Sequence, residues 1–174
     1  VGAPTATPVP TSTPVATPIP IPAATPAPTP LSQDWPPIVD VHAHWPPEVT
    51  VQTMLQNMDA ANVLTAVIMP SGGQTFGAAL ELQRTYPGRF LAFLGFQNAA
   101  WIEGQPGFLD YVEKKLQTGQ FKGLGEVLLR HYAIPERKAP DVFIDADAPN
   151  SLRALDLAAT YKVPVILHME AEEG

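Results

Sequence analysis

The chain has 174 residues, 45% of them apolar, enough to bury the core of one domain of ordinary size. A net charge of −7 with no clustered Lys/Arg stripe argues against a nucleic-acid partner, because phosphate binding needs concentrated positive charge. The absence of Cys excludes a disulfide framework and thiolate chemistry, and no apolar run approaches the ~20 residues needed to span a bilayer.

Residues 1–33 carry no charged side chain, so every Asp, Glu, Lys and Arg lies in 34–174. The first thirty positions hold 10 Pro, 7 Thr and 6 Ala, in repeats such as Ala6-Thr7-Pro8 and Ala16-Thr17-Pro18. Each Pro removes a backbone donor and biases its predecessor towards extended conformations, so neither a helix nor a central strand is expected there. The expectation for 1–33 is a disordered or polyproline-like tether, extending roughly 3 Å per residue where it is stiff. The chain starts at Val1 rather than Met, which leaves room for an upstream signal or anchor that was removed. Thr/Pro/Ala-rich leaders resemble the stalks that hold exported bacterial proteins off a membrane or wall, and the expected location is extracytoplasmic.

From Pro37 the texture changes. Ile38–His42 is β-branched and predicts a first strand. Glu48–Ala61 follows, with Val51, Met54, Leu55 and Met58 on one helical face. Val63–Met69 reads as a fully buried strand, ended by Pro70 and a Ser71-Gly72-Gly73 loop. Ala78–Tyr86 predicts a helix stopped by Pro87-Gly88, and Phe90–Phe96 a third strand. Phe108–Leu116 is an amphipathic helix closed near Gly119, and Phe121–Leu129 a fourth strand containing two Gly. Ser151–Tyr161 is helical and Pro164–Met169 makes the fifth strand. Buried strands alternating with amphipathic helices imply a parallel sheet with crossover helices. Strand starts lie about 31 residues apart, and eight such units would need the ~250 residues of a (β/α)8 barrel. The reading is therefore α/β: residues 34–174 form the first five strands of such a barrel. A complete open doubly-wound sheet is the alternative.

Three of the four histidines fall at the C-terminal ends of predicted strands. In the first strand Asp40, His42 and His44 share one face, because side chains alternate with period 2. Two imidazoles spaced i, i+2 at a strand end can converge on one cation. His168 ends the fifth strand, where a third ligand would be needed, and Asp40 is placed to support the site from behind. Arg130 and His131, after the fourth strand, would reach the barrel mouth, where a guanidinium can clamp a carboxylate or phosphate. Trp45 would wall the pocket. With these three stand plainer readings: a solvated loop for Arg130 and His131, and a surface-anchored aromatic for Trp45. The acidic run Glu170, Glu172 and Glu173 reads as a solvated loop.

Val39-Asp40-Val41-His42-Ala43-His44 together with Ile166-Leu167-His168 resembles the amidohydrolase superfamily of metal-dependent barrel enzymes, over residues 37 to 174. Within it the chain looks most similar to the amidohydrolase-related group, which contains hydrolases and some non-oxidative decarboxylases. The resemblance implies that the fourth strand supplies a metal-bridging Lys or Glu. Lys122 lies at the wrong end of that strand, so Glu126, with the parity of Leu124 and Leu128, is the candidate; its plainer reading is pairing with Arg130 or His131. Gly-x-Gly-Glu also resembles the TatD-like nuclease branch, which would act as a phosphodiesterase.

The resemblance implies a site of one or two divalent cations, Zn²⁺ above all, held by His42, His44, His168 and Glu126. The cation would activate water against an amide, ester or lactone bond of a small-molecule substrate. A decarboxylase would use one metal and leave Glu126 uncoordinated. It also implies a strand-six His and a strand-eight Asp, the expected proton shuttle, beyond the strands present. Taken alone, the stretch is thus expected to be a truncated barrel with part of a site, no useful activity and no tight zinc binding. A tethered, non-catalytic α/β binding module is the reading from outside the enzyme class.

Overall fold

A computed structural model describes residues 36–46, 48–70, 75–133 and 141–171. The tether expected at 1–33, the Ser71-Gly72-Gly73 loop, Glu172 and Glu173 lie outside the described residues.

Among the described residues eleven elements follow in chain order: β1 (Ile38–Trp45), α1 (Val51–Ala60), β2 (Val63–Pro70), α2 (Phe76–Thr85), β3 (Phe90–Leu94), α3 (Ala99–Ile102), α4 (Phe108–Leu116), β4 (Gly123–His131), β5 (Val142–Phe143), α5 (Pro149–Tyr161) and β6 (Val165–Met169). Local chemistry sets the helix starts. Thr50 accepts from the Thr53 N–H, Thr75 from Ala78 and Asn98 from Trp101, each satisfying an amide that the first turn leaves unpaired. The first strand is longer than predicted and carries both histidines within it. The short α3 and the two-residue β5 were not predicted.

The five long strands pair in parallel in the order β1, β2, β3, β4, β6, and β5 joins the end of β4 antiparallel. A doubly-wound sheet reverses its strand order at a switch point. This order runs one way, as in the first five strands of a (β/α)8 barrel.

The two faces of the sheet separate cleanly. Ala66 and Ile68 of β2, Phe90, Ala92 and Leu94 of β3, and Leu124 of β4 belong to one buried cluster with Leu55 of α1, Leu82 of α2, Val112 of α4 and Leu157 of α5. Burying one such Leu, Ile or Phe contributes roughly 1.5–3 kcal/mol. Alternate residues, Val67 and Met69 of β2 and Phe93 of β3, form a second cluster with Leu91 and Ile166 on the opposite face. Two glycines of β4 make room on that face. A Cβ on Gly123 would overlap the Phe93 ring, and one on Gly125 would come within 2.8 Å of Ile166 Cβ. At the N-terminal end of the strands, Arg89 ties α1 to the sheet, donating to Asp59 Oδ1 at 2.7 Å and to the Leu64 carbonyl at 3.0 Å.

The terminal strands of the order are the most open. Ile38, Val39 and Val41 of β1 and Leu167 and Met169 of β6 are exposed. Among the described residues no helix is long and apolar enough to cross a membrane.

Candidate metal centre

The C-terminal ends of β1 and β6, the middle of β4 and the segment after β3 meet around Glu126. This carboxylate is 3% exposed. Its Oε1 lies 3.0 Å from His42 Nε2 and 2.7 Å from His168 Nδ1, and its Oε2 lies 3.1 Å from His44 Nε2. The Gln97 amide donates to Oε2 by a short hydrogen bond. His42 Nε2 and His44 Nε2 are themselves 3.1 Å apart. Two imidazole nitrogens and a carboxylate oxygen pair thus surround one point.

That spacing is close to the ~3.3 Å separation of two ligands on a tetrahedral zinc with ~2.0–2.1 Å bonds. The electrostatics point the same way. A carboxylate taken out of water needs a compensating positive charge, and the groups touching this one are imidazoles and a neutral amide. A divalent cation shared by His42, His44 and Glu126 supplies that charge and relieves the crowding of lone pairs, so the donor set fits such an ion.

Each of these side chains is positioned by its strand. On β1 the register to β2 slips between Asp40 and Ala43, and the His42 N–H binds Asp40 Oδ1 at 3.0 Å. Asp40 therefore braces the backbone, where sequence placed it behind the imidazoles. On β4 the register to β6 slips between Leu124 and Val127. The expected shared parity of Glu126 with Leu124 and Leu128 fails for this reason: both leucines pack in the helix-side core while Glu126 faces the histidines. Lys122 lies at the opposite end of the strand, its Nζ donating to the Gly119 carbonyl at 3.0 Å.

Gln97 went unnoticed in the sequence. It follows the fully buried Phe96, whose ring meets Trp101 at 5.0 Å edge to face, and Trp101 Nε1 donates to the Leu128 carbonyl at 2.8 Å. The short α3 thereby fixes the post-β3 segment to the strand that carries Glu126. A polar residue directly after the expected third strand, Phe90–Phe96, was the available signal.

His168 bridges two carboxylates. Its Nδ1 faces Glu126 and its Nε2 lies 3.3 Å from Glu170 Oε1. Burial lowers the His168 pKa, but the hydrogen bonds to Glu126 and Glu170 outweigh it and the net shift is upward. Glu170 is no solvated loop residue. Its Oε2 accepts the Tyr132 N–H at 2.5 Å and its Oε1 meets His131 Nδ1 at 2.7 Å. The Tyr132 amide, with His131, brings this carboxyl down to a pKa of about 2. The structure thus gathers His42, His44 and Glu126 at one point, with His168 one hydrogen bond away. Of the residues expected to meet substrate, His131 sits against Glu170. Arg130 lies over the rings of Tyr132 and Phe143 at 4.5 and 5.0 Å. Trp45 bonds the Val49 carbonyl at 2.7 Å and packs on the core.

No family model matches the chain, and no curated protein matches it in sequence. Among solved structures it is similar to the crystal structure of 2,6-dihydroxybenzoate decarboxylase from Rhizobium, with a TM-score of 0.54 and 15% identity. The match covers 79% of this chain and 51% of the decarboxylase, so the chain spans about half the length of that protein. At this identity the likeness establishes the fold alone, a curled α/β half-barrel.

Proposed function

We propose that this chain supplies the metal-binding front half of a barrel hydrolase acting on an amide, ester or lactone bond of a small molecule. The observation that carries the reading is the meeting of His42 Nε2, His44 Nε2 and the Glu126 carboxylate at 3.0–3.1 Å from one another. A divalent cation bound there would polarise a substrate oxygen and lower the pKa of water from 15.7 towards ~7. Zn²⁺ suits two neutral imidazoles and a carboxylate, and three protein ligands leave the open position a catalytic zinc needs.

The chain's own residues hold the geometry. Gln97 and His168 clamp the two oxygens of Glu126 from outside the ligand set, as outer partners of metal ligands commonly do. His42 and His44 are 43% and 35% exposed, which leaves the far side of the site open to a substrate.

Decarboxylation is the second reading, favoured by the fold match to a decarboxylase. The place of Glu126 among the ligand atoms speaks for hydrolysis, since the resemblance implies a decarboxylase with one metal and Glu126 uncoordinated. The deciding experiment strips the chain with a chelator, returns Zn²⁺ by dialysis, and follows bound metal alongside turnover of an ester, an amide, a lactone and 2,6-dihydroxybenzoate. Where the sequence alone leads to no tight zinc binding by this stretch, the preassembled His42, His44 and Glu126 lead to one bound zinc, lost in both His42→Asn and His44→Asn with any hydrolysis lost alongside. Release of CO₂ without hydrolysis would move the assignment to decarboxylation, and zinc binding indifferent to both substitutions would overturn both readings.

A further inference from the structure

The two imidazoles of β1 owe their meeting to an irregularity in that strand. Side chains two positions apart on a regular strand leave the backbone about 6.6 Å from each other. His42 Nε2 and His44 Nε2 are 3.1 Å apart, and their rings stand 5.1 Å apart at 70°, so the pair converges towards its tips. The register shows where the bend arises. Asp40 faces Ala66 of β2 and Ala43 faces Ile68, so three steps of β1 run beside two of β2. Val41 and His42 share the place of one residue. This is a bulge, which bends its strand and re-aims a side chain. From Ala43 to Trp45 the pairing is regular again, with His44 against Met69.

A bulged residue drops out of the ladder, and its amide needs another acceptor. The His42 N–H finds one in Asp40 Oδ1 at 3.0 Å, two residues back. Asp side chains readily close such a turn, and this one spans Val41, which is 61% exposed. The backbone of His42 is thereby tied to the last residue before the bulge, while His44 is fixed by the regular pairing after it. The bond lies on a terminal strand of the sheet, at an exposed position where water would satisfy the amide if the carboxylate were removed. Its consequence is therefore for aim rather than for folding.

We propose that Asp40 is a positioning residue: its carboxylate oxygen holds the β1 bulge closed and keeps His42 turned onto His44, whether or not a cation is bound. This role rests on the metal reading above only for its effect on zinc. The acceptor matters and the charge does not, because the partner is a backbone amide. Asn presents the same oxygen at the same reach, and Ala presents none.

The test compares the chelator-stripped full chain with its Asp40→Asn and Asp40→Ala variants at neutral pH. Circular dichroism checks that each is folded; Asp40→Val, a strand former without an acceptor, replaces Ala if that variant is not. In the metal-free chains, NMR reads the exchange of the His42 amide and the nuclear Overhauser contact between the His42 and His44 rings. Competition against a chromophoric chelator then reads Zn²⁺ affinity. Wild type and Asp40→Asn are expected to show a slowed His42 amide and a ring contact, with affinities within about a factor of three. Asp40→Ala should lose both signals and bind zinc roughly 10-fold more weakly, the lower end of what losing an outer partner costs. A ring contact kept in Asp40→Ala would overturn the proposal. So would an Asn variant that fails as Ala does, since the charge and not the acceptor would then be at work. A wild type that binds no zinc, with the ring contact present and lost only in Asp40→Ala, would refute the metal reading and uphold this role for Asp40.

Discussion

His44 on the first strand and Glu126 on the fourth, 82 positions apart, meet at 3.1 Å between Nε2 and Oε2. Nothing local enforces this contact, so it depends on the sheet order and on the register that sets the end of β1 against the middle of β4. Glu126 is the pivot, because its oxygens touch three imidazoles and one amide. Replacing Glu126 with Gln removes the only carboxylate among these contacts while nearly preserving its shape. Zinc affinity at the His42/His44 site should fall by at least ~100-fold, the upper end of what losing a mere outer partner costs. Competition against a chromophoric chelator reads this directly, and affinity within a factor of three of wild type would exclude Glu126 as a ligand.

Gln97 should matter through Glu126 alone. Its amide fixes Oε2, so Gln97→Ala frees one rotation of the carboxylate without removing a ligand. The expected loss is roughly 10–100-fold in zinc affinity at that site, with unchanged stoichiometry at saturating metal. Gln97→Leu, which cannot donate, should match the Ala variant. Full affinity in both would show that the hydrogen bond has no bearing on the site.

The parts of this arrangement that could be read from the sequence are those that obey strict periods. Val63–Met69 and Phe108–Leu116 are uninterrupted patterns, and they became β2 and α4 almost unaltered. His42, His44 and His168 stood out because a polar residue ending an apolar strand has few structural uses. Asp40 and Glu126 were placed by parity, and parity fails wherever a strand slips register, as β1 does before Ala43 and β4 before Val127. Gln97 and Glu170 were hidden for another reason. An amide or carboxylate in a loop gains its meaning from a neighbouring strand, and strand adjacency is a property of topology. The two residues of β5 are too short to show any period at all.

Gly123 tests the packing that brings β4 towards β3. Its missing side chain is the space filled by the Phe93 ring, on a face where Val67 and Met69 leave little slack. Gly123→Ala must displace that ring, and overpacking of this kind costs typically about 1–3 kcal/mol. Urea denaturation should show the midpoint falling with the slope preserved. The double variant Gly123→Ala/Phe93→Leu should recover part of the loss; if it is no more stable than Gly123→Ala alone, the clash with Phe93 is not the cause.

Acid and base should act on the metal-free chain from opposite sides through Glu170 and His168. The Glu170 carboxyl is depressed from 4.5 to about 2, chiefly by the Tyr132 amide and then by His131. A depressed carboxyl favours the folded state above its unfolded pKa, so its contribution is complete above 4.5 and disappears as pH falls through about 2. For His168, burial acts downward, but hydrogen bonds to Glu126 and Glu170 carry the net shift above 6.5. A raised imidazole contributes fully below 6.5 and loses its contribution as pH rises through the elevated value. Both contributions are complete together only between 4.5 and 6.5, where the chelator-treated chain should be most resistant to urea. The wild-type advantage over Glu170→Gln should be greatest between 4.5 and 6.5 and narrow towards pH 2, whereas its advantage over His168→Gln should narrow on the alkaline side. A Glu170→Gln difference that stays flat from pH 7 to pH 2 would show that this carboxylate is not held in the folded chain by Tyr132 and His131.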